Sequence, residues 1–221
     1  ENPMTVFNYG ALNLDAMSQL KTLSKKSLYN EIGLKLSSDV ALVTFHPVTL
    51  EKNTSENQFR SLLFTLKNFK NLQIVFTKTN SDTDGRIINS MIDEFVKKNS
   101  NSFAFKSLGQ LKYVSLLKFV SVVIGNSSSG IIETPLFKVP TVNIGDREEG
   151  RIKTINIIDC KSDKKSISLS IKKALSKKFK ESLKYMKNPL YQKNTAKKIV
   201  DRIKKTPIKD STKKFFFDLD H

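Results

Sequence analysis

Cysteine occurs once, at Cys160, which excludes an internal disulfide and leaves too few thiolates for a structural zinc site. A reducing, cytoplasmic setting is the expectation that fits this scarcity. No apolar run approaches the roughly 20 residues that cross a bilayer, so no membrane partner is expected. The sequence opens at Glu1 without a basic segment leading into an apolar core, so a signal peptide is not expected; it also lacks an initiator methionine, which leaves room for residues upstream. Arginine is scarce as well. Of 38 basic residues only five are arginine, at positions 60, 86, 147, 151 and 202, although the formal net charge is +17. A basic chain gains affinity for phosphate backbones by counterion release. Base readers, however, favour arginine forks and stacking aromatics, and neither an RNP-like nor a helix-turn-helix pattern is found. The lysines, clustered at 161–184 and 197–214, read as solvated helix faces, and no nucleic-acid partner is expected.

Several motifs are missing too. There is no GxxxxGK[ST] loop, which removes the simplest ATPase reading, and no GxGxxG after a first strand, which weakens a dinucleotide one. The candidate serines have only His46 as a base and no orienting acid, so no nucleophilic triad forms. Asp82 and Asp84 are too few carboxylates for a metal site, and neither metal nor cofactor is expected. No internal repeat is found.

What is present alternates. Val40–His46 is an apolar run ended by Pro47, which pushes His46 out of helical space and leaves a histidine at a strand's carboxyl end. Phe59, Leu62, Leu63, Leu66 and Phe69 follow at helical spacing, with capping candidates at Asn53–Glu56. Leu72–Thr77 is the next strand, then a polar loop from Lys78 to Asp84, then a helix with Ile87, Ile88, Met91, Ile92, Phe95 and Val96 on one face. Phe103–Phe105 predicts a short strand, Leu111–Phe119 a helix, Val120–Ile124 a buried strand and Thr141–Ile144 another, with Ile155–Ile158 as a sixth. Pro135 limits or kinks the helix between the last two firm strands. Residues 1–35 predict an extended opening segment and a helix around Leu14–Leu23. After Asp159, apolar stripes at Ile167, Ile171, Ala174 and Leu175 and at Ala196, Ile199, Val200 and Ile203 predict peripheral helices. The Phe215–Phe217 cluster predicts a tail that docks on this domain or a neighbour.

Strands and helices alternating at this spacing predict an α/β fold: a Rossmann-like parallel sheet with helices on both faces. The expected division is a Rossmann-like domain over 1–160, C-terminal helices packed on it over 161–205, and a tail over 206–221. Ligands bind such sheets beyond the carboxyl ends of the strands, where His46, the Lys78–Arg86 loop, Gly125–Ser129 and Gly145–Arg151 collect. The strand Val120–Ile124 runs into Gly125, Asn126 and three serines, which either cradle a phosphate or form a serine-rich turn with an N-cap. Glu133 is badly placed for phosphate but suited to a ribose diol. His46 is either a satisfied core imidazole or a diphosphate ligand. Arg147 and Arg151 either reach a phosphate or fix acidic groups, with a solvated ion pair as the alternative. Asn80 and Arg86 stand where an amide can read a base or diphosphate and a cation can neutralise charge. These residues reach a nucleotide or nucleotide-sugar binding domain, but not a reaction.

Three separated segments carry a resemblance. Phe45-His46-Pro47-Val48-Thr49, Gly125 through Glu133, and Pro140 through Arg147 with Gly150-Arg151 closely resemble the UDP-N-acetylglucosamine 2-epimerases. The likeness is strongest to the UDP-hydrolysing branch, which makes N-acetylmannosamine for sialic acid synthesis. It runs from about Val6 to beyond Arg151. The resemblance implies one half, the carboxyl-terminal one, of a two-domain GT-B-like architecture with UDP-sugar in the cleft. It implies that His46 contacts the diphosphate and stabilises the leaving group, that Ser127 and Ser128 bind phosphate, and that Glu133 holds the ribose. Asn80 and Arg147 complete the pocket, the backbone near Leu108 lies against uracil, and Arg86 aligns less securely. Glu148 departs from the family's usual glutamine; its charge weakens a phosphate contact or is solvated. The main acid and base carboxylates belong to the amino-terminal Rossmann-like domain, which is not in this chain. The implied partners are UDP, UDP-N-acetylglucosamine, that missing domain and, in the full-length form, further copies in a homo-oligomer. The chain is expected to bind UDP weakly and not to turn over substrate alone. Non-hydrolysing or diacetamido-sugar epimerases, a GT-B glycosyltransferase fragment and a non-catalytic binding module are the alternatives.

Overall fold

The computed structural model describes residues 3–36, 38–47, 54–79 and 83–207. They fall into two compact units, one of Lys21–Asn188 and one of Glu1–Leu20 with Pro189–His221. In chain order the elements are α1 (Leu12–Gln19), α2 (Lys25–Ile32), β1 (Asp39–Thr44), α3 (Thr54–Leu66), β2 (Leu72–Thr77), α4 (Thr83–Lys98), β3 (Ser102–Phe105), α5 (Gly109–Leu117) and β4 (Val122–Gly125). They continue with α6 (Ser129–Ile132), α7 (Thr134–Phe137), β5 (Thr141–Ile144), β6 (Ile157–Cys160), α8 (Lys164–Leu175), α9 (Lys177–Ser182) and α10 (Thr195–Lys205).

In the larger unit the six strands form one sheet in the order β3-β2-β1-β4-β5-β6, with every neighbouring pair parallel. Strand order reverses between β1 and β4, the switch point at which a Rossmann-like sheet opens a crevice. Side chains alternate across each strand. Ala41, Val43, Ile74, Phe76, Val122, Ile124, Val142 and Ile144 join Phe59, Leu62 and Leu66 of α3, Ile88, Ile92 and Phe95 of α4, and Ile167 and Ile171 of α8 in one core. Val40, Leu42, Val75 and Val123, also buried, face the other way, towards the side of the paired helices α2 and α5. Tyr29 of α2 stacks edge-on against Phe119 with ring centroids 6.5 Å apart. Buried Gln73 accepts from the Lys35 N–H at 2.7 Å and donates to the Lys35 carbonyl at 2.9 Å, fastening the loop after α2 to β2. The sheet and its flanking helices match the fold class expected from the alternation of elements.

Several element bounds differ from the sequence expectation. The helix expected around Leu14–Leu23 ends at Gln19, because Leu20 is extended, and α2 starts afresh behind Ser24, whose side chain accepts from Ser27 N–H. The sixth strand starts two residues late, at Ile157; Ile155 is exposed and Asn156 is fully buried, held by Nδ2 bonds to Thr134 Oγ1 at 3.0 Å and to the Val139 carbonyl at 2.7 Å. On α10, Val200 and Ile203 are exposed. The Phe215–Phe217 cluster lies outside the described residues. No helix among the described residues is long and apolar enough to cross a membrane.

In the smaller unit, α1 caps α10 from outside. Asn194 is the N-cap but makes no side-chain cap bond; instead the Asp15 carboxylate accepts the N–H groups of Asn194 and Ala196, each at 3.1 Å. The Ala196 N–H bond, opposed by burial and reinforced by Gln19, Asn194 and Thr195, holds the Asp15 carboxyl below its ordinary 3.8. A folded-state pKa below the unfolded one means that the stabilisation is complete above that ordinary value and is lost as pH falls through the folded value. The Ala196 and Asn194 amide proton resonances should therefore titrate with a midpoint below 3.8. A flat response, or the same response in Asp15→Asn, would contradict this cap.

Candidate nucleotide site

The rim at the carboxyl ends of β1 and β4 is built by one buried asparagine. Thr44 and Gly125 are Cα partners across these strands, so His46 and Ser127 each lie two residues beyond a paired position. Asn126 is 1% exposed. Its Oδ1 accepts the His46 N–H at 2.7 Å and its Nδ2 donates to the His46 carbonyl at 2.8 Å. An amide side chain thus supplies the ladder bonds that the diverging strands no longer provide. The backbone N–H of Asn126 donates to the Thr44 carbonyl at 3.2 Å, and its carbonyl accepts from the Arg147 guanidinium at 2.9 Å. One residue therefore ties the ends of β1 and β4 to the loop after β5.

A second amide repeats the device one strand over. Asn89 of α4 accepts from the Thr79 N–H at 3.0 Å and donates to the Thr79 carbonyl at 3.1 Å. Thr79 Oγ1 then lies 2.9 Å from His46 Nδ1. The ring is half-buried, with the His46 backbone fastened by Asn126 and Nδ1 beside Thr79 Oγ1. His46 thus sits at the rim, two residues beyond the end of β1.

Beyond Gly125 the serines enter a single turn. The Ser127 carbonyl accepts the Gly130 N–H at 3.0 Å, and the Ser128 carbonyl accepts the Ile131 and Ile132 N–H groups at 3.0 and 2.9 Å. Ser127 and Ser128 are both half-buried at the mouth of this turn. Glu133 follows between α6 and α7, half-buried, where Pro135 at the start of α7 breaks the helix into two single turns. Thr134 stabilises the break: its Oγ1 donates to the Gly130 carbonyl at 2.7 Å and meets Thr141 Oγ1 at 2.8 Å. Tyr113 of α5 donates to Ser129 Oγ at 2.8 Å. That bond draws the helix whose N-cap is Leu108, itself 8% exposed, to the serine turn.

After β5, Glu148 is only 2% exposed. Its Oε1 accepts from Arg147 at 2.6 Å, and its Oε2 lies in an ion pair with Arg151 that is not aligned as a hydrogen bond. The expectation that this glutamate is solvated is wrong: burying a carboxylate is costly unless it is paired, and two guanidinium groups pair it. Arg147 is thereby held against the Asn126 carbonyl rather than left free in solvent.

Arg86 lies exposed in the first turn of α4, at the carboxyl end of β2. Asn80 lies outside the described residues. Among the described residues no group of three His, Cys, Asp or Glu side chains could hold a metal. Burial pushes the Cys160 thiol up to about 11, which leaves it a poor nucleophile near neutral pH. Asn126 and Thr79 lie in segments expected at the rim but were not singled out, and Asn89 and Tyr113 were not expected there.

A family model described as UDP-N-acetylglucosamine 2-epimerase matches residues 1–204. The GDP/UDP-N,N'-diacetylbacillosamine 2-epimerase (hydrolyzing) of Campylobacter jejuni is 40% identical over 183 residues, which are 82% of this chain and 47% of that protein. The polysialic acid biosynthesis protein P7 of Escherichia coli is 33% identical over 222 residues, covering 99% of this chain and 56% of that one. The chain thus spans about half the length of these relatives. Among solved structures, the Methanocaldococcus jannaschii UDP-GlcNAc 2-epimerase in complex with UDP-GlcNAc and UDP superposes with a TM-score of 0.69 at 18% identity, over 90% of this chain and 55% of that one. The superposition supports the GT-B-like fold. Fold, the order of the rim motifs and a match over nearly the whole sequence agree, and the chain belongs to the UDP-N-acetylglucosamine 2-epimerase family.

Proposed function

We propose that this chain is the nucleotide-holding half of a hydrolysing 2-epimerase, which converts UDP-N-acetylglucosamine and water into N-acetylmannosamine and UDP. The observation that carries the reading is the rim at the β1/β4 reversal, where Asn126 fastens the His46 backbone and the Arg147 guanidinium beside the serine turn. In this reading Ser127 and Ser128 hold the diphosphate through hydroxyl and backbone N–H groups, with Arg147 and His46 beside it. Glu133 accepts the ribose diol, and Asn80, Arg86 and the backbone at Leu108 complete the nucleotide pocket. As the bond from sugar to diphosphate breaks, negative charge grows on the leaving UDP, and donors fixed in advance stabilise that charge more than they stabilise bound substrate. Removal of the sugar proton is left to carboxylates of the amino-terminal domain, so this chain by itself binds UDP without turnover.

Titration of the 221-residue chain with UDP, UDP-N-acetylglucosamine and ATP tests the pocket. UDP is expected to bind in preference to ATP, and Glu133→Ala to weaken UDP at least about tenfold, the scale of losing hydrogen bonds to a charged acceptor. Absence of a uridine preference would count against the reading, as would an unaltered affinity in the variant. Sustained release of UDP and N-acetylmannosamine from this chain would refute the division of labour. A second reading changes only the sugar: the 40% identity to the Campylobacter jejuni relative favours a diacetamido sugar, and comparing the two UDP-sugars on the full-length protein separates them.

A further inference from the structure

Towards the end of the sheet opposite the rim, α3 and α4 flank a groove. Leu63 and Phe64 of α3 form one wall and Met91 and Phe95 of α4 the other, around a cavity of about 340 Å³. A second cavity, of about 310 Å³, continues it past the carboxyl ends of the two helices; Lys67, Phe95, Lys98 and Asn99 line both. Its floor is apolar, with Leu66 and Ile74 each 1% exposed. Its edge carries Lys67, Lys70 and Lys98, all exposed. No carboxylate is among the described residues that line this second cavity, and none of the three ammonium groups has a partner among the described residues. A helix carboxyl end favours a cation, which accounts for lysine at 67 and 98 but not for the apolar floor between them. The loop beneath is fixed: Asn99 donates to the Phe95 carbonyl at 2.7 Å and Asn101 to the Leu72 carbonyl at 2.8 Å. At the other end of the groove Phe64 is 53% exposed.

We propose that this groove is a docking surface for an acidic, amphipathic polypeptide segment, which seats an apolar side chain between α3 and α4 beside Phe64 and sets carboxylates against Lys67, Lys70 and Lys98. Charge selects the occupant. A second copy of this chain would bring 38 basic against 21 acidic residues to an edge that is already basic, and like charges brought together at an interface are costly. A nucleic-acid backbone meets the lysines but gains nothing from a floor of Leu66, Ile74 and Phe95, and a bilayer surface does not enter a groove between two helices. A segment with apolar anchors and acidic flanks satisfies the floor and the edge together, as an amphipathic helix does in a hydrophobic groove. The surface lies away from the rim and is independent of the UDP reading.

The test titrates the full chain with a fluorescent helical peptide that carries leucine and phenylalanine about four residues apart on one face, with glutamates beside them. Its control has lysine in place of each glutamate. The acidic peptide is expected to bind at least about tenfold more tightly than the control. Lys67→Glu combined with Lys98→Glu should weaken it roughly tenfold or more, as two exposed ion pairs become repulsions, and Phe64→Ser about fivefold, as an apolar contact is lost. These three positions are exposed, so the variants keep the fold. Lys21→Glu combined with Lys26→Glu, also exposed and on the side of α2, changes the net charge equally and should leave the affinity unaltered. Equal losses in both charge-reversed pairs would mean that net charge alone attracts the peptide, and an unaltered affinity in Phe64→Ser that nothing enters the groove; either result overturns the inference. So would tighter binding of phosphatidylserine vesicles or of polyuridylate that is lost in Lys67→Glu with Lys98→Glu, or self-association of the chain that Phe64→Ser abolishes.

Discussion

Gly125→Ala is expected to unfold the larger unit or to lower its melting temperature by about 10 °C or more, the scale of a loss of some 4 kcal/mol in a domain of this size. Gly125 has φ of +141°, and a Cβ built there would lie 1.8 Å from the Thr44 carbonyl oxygen. That oxygen is backbone of the paired strand β1, and it already accepts the Asn126 N–H at 3.2 Å. No side-chain rotation relieves the clash; β1 and β4 must separate at the switch point. Gly145 provides the control. It too has positive φ, +76°, yet nothing lies within 4 Å of a Cβ placed there, so Gly145→Ala should cost only the conformational strain, about 1–2 kcal/mol. Thermal unfolding followed by circular dichroism decides the matter: if the two variants melt together, the carbonyl contact is not what demands glycine at 125.

Asn126→Leu should be the next most damaging. The side chain is of similar size, but the His46 N–H and carbonyl both lose their partner in a site that is 1% exposed at Asn126. Each buried polar group left unsatisfied costs about 1–3 kcal/mol, so a loss of roughly 3 kcal/mol or more is expected. Asn126→Asp should be little better, since a carboxylate accepts the N–H but sets a second oxygen against the His46 carbonyl. Both variants should also weaken UDP, because the Asn126 side chain fixes the His46 backbone at the rim. Retention of stability within about 1 kcal/mol in Asn126→Leu would show that water replaces the amide.

The sheet was legible because its strands are short β-branched runs that end in abrupt breakers, Pro47 after His46 and Gly125 after Ile124. Helical spacing in α3, α4 and α8 named the faces that meet in the core. Spacing misled where apolar positions continue across a break: Leu14 to Leu23 keeps a helical rhythm through the extended Leu20, and only the Ser24 cap marks the new start. It also misplaced β6, because Ile155 reads as strand although Asn156 next to it is held by side-chain bonds rather than by alternation.

Residue order alone determined the class of fold, the rim on which the candidate residues collect and the family to which the chain belongs, because each rests on local pattern: strand, breaker, serine turn, acid. Only the tertiary structure decided which residues organise that rim. Asn126 bonds to His46 across 80 residues, Thr79 meets the His46 ring across 33, and Tyr113 reaches Ser129 across 16. Glu148 changed from a surface charge to a buried clamp on two arginines. Such roles depend on partners brought together by strand order and on the loss of water around them, and neither quantity is written in the spacing of residues along a chain.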